Sequence, residues 1–282
     1  MKRHYFSAFF LACSIGLVGC STGTVTPQPA PPASEAALSE PPDKVVNYAI
    51  YDDVLKTYVD ASGLVDYSGL QASRQMLDTF NNGLATVDDA TSKSWSETDQ
   101  IAYWVNAYNS LTLKSIVDQT PLKASIKDIV GVWRLNKHRI NGQEKTLDNI
   151  EHDILRANFN EPRIHSALVC AAISCPPLRS EVFTGKDLDA QLDDQVTQWL
   201  ARPDGLRIDQ EAGEVQISMI FSWFGDDWIP TYGVEDGFTG SNAEKAVLNF
   251  ISNYVSEDDR AYLAAGNYSL SYFDYDWSLN KQ

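Results

Sequence analysis

The chain has 282 residues, with 22 basic against 38 acidic side chains and a formal net charge of −16 at pH 7. So acidic a protein repels phosphate backbones and anionic headgroups, which argues against nucleic acid as a partner. The one local basic run, "WRLNKHRINGQEK", reads as an exposed hairpin, with His138 near its tip, rather than a phosphate site.

The N-terminal "MKRHYFSAFFLACSIGLVGC" has a basic start at Lys2 and Arg3, an apolar run and small residues before Cys20. That is the plan of a secretory signal, and the apolar run is too short for a comfortable membrane span. Leu17-Val18-Gly19-Cys20 resembles a bacterial lipobox, in which the cysteine becomes the lipid-bearing first residue. Residues 20–42, rich in Ser, Thr, Pro and Ala, bury little and read as an extended tether. The expected plan is therefore a signal peptide at 1–19, a lipidated Cys20 with its tether at 20–42, and one globular domain at 43–282. The expected location is the cell envelope, lipid-anchored, and in a Gram-negative host the outer membrane facing the periplasm. Ser21 is not an aspartate, so nothing argues for inner-membrane retention. Cys13 leaves with the signal and Cys20 is lipidated, so Cys170 and Cys175 remain in a compartment where disulfides persist.

The domain opens with "DKVVNYAIYDDVLKTYVD", whose Val46, Ile50, Val54 and Tyr58 predict an amphipathic helix. "GLVDYSGL" predicts an extended piece, and "SRQMLDTFNNGL" a helix with Met76, Leu77, Phe80 and Leu84 inward. A long helix follows the capping candidates Ser94-x-x-Glu97 and Ser96-x-x-Asp99, burying Ile101, Trp104, Val105, Tyr108, Leu111 and Ile116 before Pro121. Asn106 and Asn109 on it are poor helix-interior residues and need a reason; hydrogen bonding to a neighbouring loop is the simplest. Asn141-Gly142 predicts a hairpin, "TLDNIEHDILRANF" a helix opened by Thr146 or Asp148, and "GKDLDAQLDDQVTQWLA" another helix. "LRIDQEAGEVQISM" predicts a second hairpin, Ser241-x-x-Glu244 opens a further helix, and "NYSLSYFDYDW" is an alternating strand. Helices and strands mix without a regular βαβ count, which predicts an α+β fold with helices packed on a small, mainly antiparallel sheet.

The densest chemistry lies in "IHSALVCAAISCPPLRS". Its apolar run predicts a central strand, with His165, Ala167, Val169 and Ala171 on one face and Ser166, Leu168 and Cys170 on the other. Cys170 then reads as a small buried apolar residue. Cys175 lies past the strand, before Pro176-Pro177, at a turn or helix N-terminus that would stabilise a thiolate. It is open as a nucleophile, as half of a disulfide with Cys170, or as an inert thiol. His165, at the far end of a straight strand, would be roughly 30 Å from Cys175. That makes His152, flanked on its helix by Asp148 and Arg156, the better base. A mixed site of His152, His165 and Cys175 has no zinc spacing, and dinucleotide, P-loop and serine-elbow motifs do not occur, so no metal and no cofactor is expected.

Together "YWVNAYNSLTLKSIV", "GQEKTLDNIEHDILR", "IHSALVCAAISCPPLR", "FSWFGDDW" and "YDWSLN" resemble the DUF547 family over roughly Gly63 to Asn280. The resemblance marks Asn106, Tyr108, Asn109, Glu151, His152, Arg156, His165, Cys170, Ser174, Cys175, Pro176 and Arg179 as motif positions, and implies no substrate. The candidate catalytic set is Cys175, His152, Glu151, Asn106, Asn109 and Arg179. In a thiol-dependent hydrolase or acyltransferase Cys175 attacks, His152 moves the proton, Asp148 or Glu151 orients the ring, and Asn106 or Asn109 donates to an oxyanion. Peptides or cell-wall crosslinks are then the expected substrates, suggested by location alone. The alternative is a non-catalytic binding or scaffold lipoprotein. In it Cys170 and Cys175 are structural or disulfide-bonded, and exposed aromatics such as Trp223 and Trp228 meet a partner or glycan. A third reading, redox cycling of the cysteine pair, requires an exposed or strained loop.

Overall fold

A computed structural model describes residues 40–282. The expected signal, Cys20 and the tether up to residue 39 lie outside the described residues. The Glu40 carbonyl accepts a hydrogen bond from Trp95 Nε1 at 2.8 Å, and a helical turn follows at Pro42–Val45.

The architecture is α+β, as expected, and is organised around the helix Glu97–Val117. Ser96 caps it by accepting from the Asp99 amide at 3.1 Å and donating to the Asp99 carboxylate at 2.7 Å. Every residue from Ile101 to Leu113 is buried, because helices cover it on all sides rather than along one stripe. The polar residues within it are consumed by neighbouring backbone. Asn106 donates to the Phe183 carbonyl at 2.7 Å and accepts from the Phe183 amide at 3.0 Å. Asn109 does the same to Ala167 and Val169, both at 2.9 Å.

Gln75–Thr86 packs on this helix, and Tyr48–Tyr58 packs on Gln75–Thr86 in turn, Tyr51 stacking on Phe80. The first amphipathic segment breaks at Val46 and Asn47, so its inward face is Tyr48, Tyr51, Val54 and Leu55 rather than the predicted fours. The extended piece is limited to the bridge at Val65, after which Tyr67–Ala72 is helical. Leu77, Phe80 and Leu84 point inward, but Met76 is exposed. The hairpin β1 (His138–Ile140) and β2 (Gln143–Lys145) turns through Asn141 and Gly142 with φ of 51° and 68°, the left-handed pair that a tight primed turn demands. His138 is not at the solvent tip; it packs near Ser115, and burial lowers its pKa.

A second core surrounds a three-stranded sheet, ordered β3 (Leu206–Asp209), β4 (Glu214–Ile217), β5 (Ser269–Tyr272). β3 and β4 form the expected antiparallel hairpin, while β5 joins β4 in parallel, the crossover between them carrying Met219–Phe224, Asn242–Ile251 and Glu257–Ala265. The helix Leu188–Leu200 stitches the two cores, giving Leu188 and Leu192 to the first and Val196 and Trp199 to the second. Among the described residues no helix is long and apolar enough to cross a membrane.

The central strand expected at "RIHSALVCAAI" does not form. Ile164–Ala167 is a helical turn, and the following backbone is irregular. Its polar groups bond to the Asn109 amide and to the C-terminal tail: Ile173 N donates to Ser278 O at 2.8 Å, and Asn280 N to Ala171 O at 3.0 Å. The tail also reaches back to Val65 and Tyr67. An apolar run of this length does not by itself distinguish strand from buried helix, and here distant partners decide.

Replacing Asn109 by Ala strands a buried carbonyl and a buried amide at once. Asn109→Ala is expected to lose about 2–4 kcal/mol of stability in urea unfolding, while the exposed Met76→Ala stays near neutral. An Asn109→Ala protein of unchanged stability contradicts the clamp.

Candidate functional site

A cavity of about 200 Å³ opens where the two cores meet. One side is polar and comes from the segment after the Asn-Gly hairpin. Thr146 and Asn149 cap it reciprocally, Asn149 N to Thr146 Oγ1 at 3.2 Å and Thr146 N to Asn149 Oδ1 at 3.0 Å. From Asn149 to Leu155 the helix is π-wound before returning to α geometry at Arg156–Asn158. Such wide turns are frequent at functional sites. This one sets Asp148, Glu151 and His152 on the cavity wall.

Behind these residues runs a relay of charged groups. Arg156 grips Asp227 bidentately, Nε to Oδ2 at 2.6 Å and Nη2 to Oδ1 at 2.9 Å. Asp227 also faces His165 Nε2 at 2.8 Å, and Arg156 Nη1 lies 3.1 Å from His152 Nδ1. A guanidinium only donates, so His152 Nδ1 is the acceptor and neutral His152 carries its proton on Nε2. His165, held in place against Phe224 with ring centroids 4.5 Å apart, donates Nε2–H to Asp227. Arg156 rather than Asp148 or Glu151 therefore orients His152, and a proton on Nε2 makes that nitrogen a donor, not the expected base. The oriented His–carboxylate pair at this cavity is His165, which lines it, with Asp227 behind it.

The other side is aromatic. Trp223, which is 45% exposed, lies 4.7 Å from Tyr275 and 5.7 Å from Trp277, and Trp133 meets Trp277 at 6.0 Å and 73°. Between the two sides, Cys170 and Cys175 are joined as a disulfide with a Cα–Cα distance of 6.3 Å. The Tyr275 hydroxyl sits 3.3 Å from the first sulfur and 3.2 Å from the second, and the Cys170 amide donates to Cys175 Sγ at 3.1 Å. Burial pushes the Tyr275 hydroxyl above the ordinary tyrosine range. Burial first, then the charge and hydrogen bond of Glu151, do the same to Tyr108.

Of the expected catalytic set, Cys175, His152 and Glu151 line the cavity. Asn106 and Asn109 do not: both are buried away from it, with both ends of each amide tied to loop backbone. Arg179 pairs with Asp194 and Glu181 instead. Cys175 closes a turn onto the Ala172 carbonyl with no helix behind it, so the expected helix N-terminus is absent. His165 was expected to be remote; without the strand it shares the cavity with Cys175. The groups weighed for zinc each have another partner: Arg156 for His152, Asp227 for His165, and Cys170 for Cys175. Trp228, expected to be exposed, is fully buried. Asp227, Tyr275, Trp277 and Trp133 received no role from the sequence. Asp227 stood within "FSWFGDDW" and Tyr275 and Trp277 within "YDWSLN", so the signal that pointed to them was motif membership.

Burial alone would raise the Asp227 carboxyl; hydrogen bonds from His165 and Arg156, and then their charges, outweigh it and hold the group well below the usual carboxylate range. A carboxyl depressed in the folded state contributes stability that is full above its unfolded pKa, about 3.9, and is lost as pH falls toward the folded value. Urea midpoints between about pH 6 and pH 2.5 are therefore expected to fall more steeply for the native protein than for Asp227→Asn, with the difference confined below about pH 4. Parallel curves contradict the relay.

No curated protein and no solved structure matches the chain. Residues 92–200 match the model of a family described as "Protein of unknown function, DUF547"; the matched segment supplies Tyr108, Glu151, His152, His165 and both cysteines of the cavity, while the cavity's aromatic residues Trp223, Tyr275 and Trp277, and Asp227 behind it, come from the sequence beyond that segment.

Proposed function

We propose that this is a lipid-anchored protein of the cell envelope whose cleft binds a small ligand, without thiol attack. The observation that carries this reading is the Cys170–Cys175 bond in the cavity wall, because a disulfide sulfur is not the thiolate that nucleophilic catalysis needs. The cleft that remains has the makeup of a ligand site, mostly aromatic with a few fixed polar groups on one side. The lipobox at Leu17–Cys20 and the tether after it support attachment through Cys20, with the domain facing the periplasm in a Gram-negative host. Net negative charge supports a location away from nucleic acid.

One observation favours a second reading. The two sulfurs share their cavity with His165, whose ring Asp227 orients, so reduction would place a thiol near an aligned imidazole. In that state Cys175 with His165, rather than His152, would serve a hydrolase or acyltransferase acting on peptide or wall substrates.

Mass spectrometry of the protein isolated from membranes of a Gram-negative host, after iodoacetamide treatment without reductant, tests both halves. The expected result is acyl mass on Cys20 and no carbamidomethyl on Cys170 or Cys175 until a reductant is added. Rapid labelling of Cys175 alone in the unreduced protein overturns the binding reading in favour of the thiol enzyme, and an unacylated Cys20 overturns the anchor.

A further inference from the structure

Glu151 is distinguished from the carboxylates beside it, Asp148 in the cleft and Asp227 behind it, by its lack of a paired lysine or arginine. Asp148 has Arg134 at 2.8 Å, and Asp227 has Arg156 and His165. The Glu151 side chain is only 13% exposed, and among the described residues its one charged neighbour within ion-pair reach is His152 Nδ1 at 4.0 Å. That nitrogen already accepts from Arg156, so in the neutral ring it has no proton to offer Glu151. Arg156 itself is matched by Asp227. What remains on Glu151 is the Tyr108 hydroxyl, a neutral partner. A carboxylate so far removed from water without a counter-charge is costly unless a ligand supplies one.

The same cavity is walled by ring faces set at angles to one another. Tyr275 meets Trp277 at 51° and Trp223 at 52°, and Trp133 meets Trp277 at 73°, while Trp223 and Trp277 lie 24° from parallel, so that Tyr275 and Trp133 supply the angled faces. Angled aromatic faces beside a carboxylate are the arrangement that holds a substituted ammonium, the rings by their quadrupoles and the carboxylate by charge. This wall already attracts cations: Lys127 Nζ lies 4.8 Å from the Trp277 ring centroid, and Lys127 does not line the cavity. A divalent metal would instead require several converging oxygens, which Glu151 does not have around it. The net charge of −16 adds a long-range field of the same sign.

We infer that the cleft binds a ligand through an ammonium group on a short aliphatic body, with Glu151 as counter-charge and Trp223, Tyr275 and Trp277 as its aromatic box. The inference rests on the binding reading above and names the class of ligand. The probes are choline and its neutral isostere 3,3-dimethyl-1-butanol, followed by tryptophan fluorescence and calorimetry on the mature protein. n-Butylamine, added as a third probe, separates a primary from a quaternary ammonium as the preferred form. Choline or butylamine is expected to bind at least about tenfold more tightly than the isostere, a margin within that of a desolvated cation–π site with its counter-charge. Glu151→Gln, which keeps the side chain's size, is expected to remove that preference, and Trp223→Ala to weaken all three probes, with melting curves confirming that both variants fold. An isostere that binds as tightly as both cations, or a preference that survives in Glu151→Gln, overturns the ammonium assignment and leaves a ligand cleft of another chemistry. Absence of binding by both cations also overturns it, and the thiol experiment then judges the binding reading independently.

Discussion

The Asp227 carboxylate is the ionic contact that fixes the two halves of this domain to one another across the cleft, beside the helix Leu188–Leu200 that they share. Arg156 and His165 stand on the first core and Asp227 on the second, one residue before the fully buried Trp228. Because the Arg156 contact is bidentate, it sets orientation as well as distance. The side chains of Arg156 and Asp227 are 27% and 24% exposed, so solvent trims their value below the ~3–5 kcal/mol lost when a fully buried pair is broken. Its larger consequence is geometric. Arg156 fixes the His152 ring and Asp227 fixes the His165 ring, so both imidazoles of the cleft inherit their orientation and tautomer from one carboxylate.

The disulfide and the C-terminal tail complete the frame from the opposite side. Backbone of Ala171 and Ile173 is held by the tail, Asn109 holds Ala167 and Val169, and the Cys170–Cys175 bond closes the loop between them. An irregular segment can be buried only if its backbone polar groups find partners, and two distant parts of the chain, Asn109 and the tail, provide them. The result is a rigid wall with sulfur and a tyrosine hydroxyl at its surface. A wall of that kind suits recognition, and the aromatic residues beside it come from the same tail and from Met219–Phe224, so the ligand surface depends on the frame that anchors the tail.

Local chemistry made much of the fold legible. Ser96 and Asp99 announce the central helix, Asn141-Gly142 the first hairpin and Ser241 with Glu244 the late helix, because each acts within a few residues. The two asparagines of the central helix were correctly anomalous; hydrogen bonding to neighbouring loops, not oxyanion donation, explains them. The stretch around His165 was misread because its conformation is set from 60 residues upstream by Asn109 and from the far C-terminus, which periodicity does not carry. That error displaced His165 from the site and promoted His152 in its place. Asp227 lies 71 residues from Arg156, so nothing local reveals the pairing. Glu151 and His152 were found because they stand beside each other in one motif, and their roles were not, since those come from Arg156 and Tyr108.

Both imidazoles are held by the Arg156–Asp227 relay, and long-range proton–nitrogen correlation spectra of the histidine rings read this directly. In the neutral state, both His152 and His165 are expected as Nε2–H tautomers, the first because Arg156 donates to its Nδ1 and the second because its Nε2–H donates to Asp227. A protonated Nδ1 on neutral His152 is incompatible with a guanidinium 3.1 Å away, and an Nδ1–H tautomer of His165 is incompatible with its bond to Asp227. Either result would contradict the site as described.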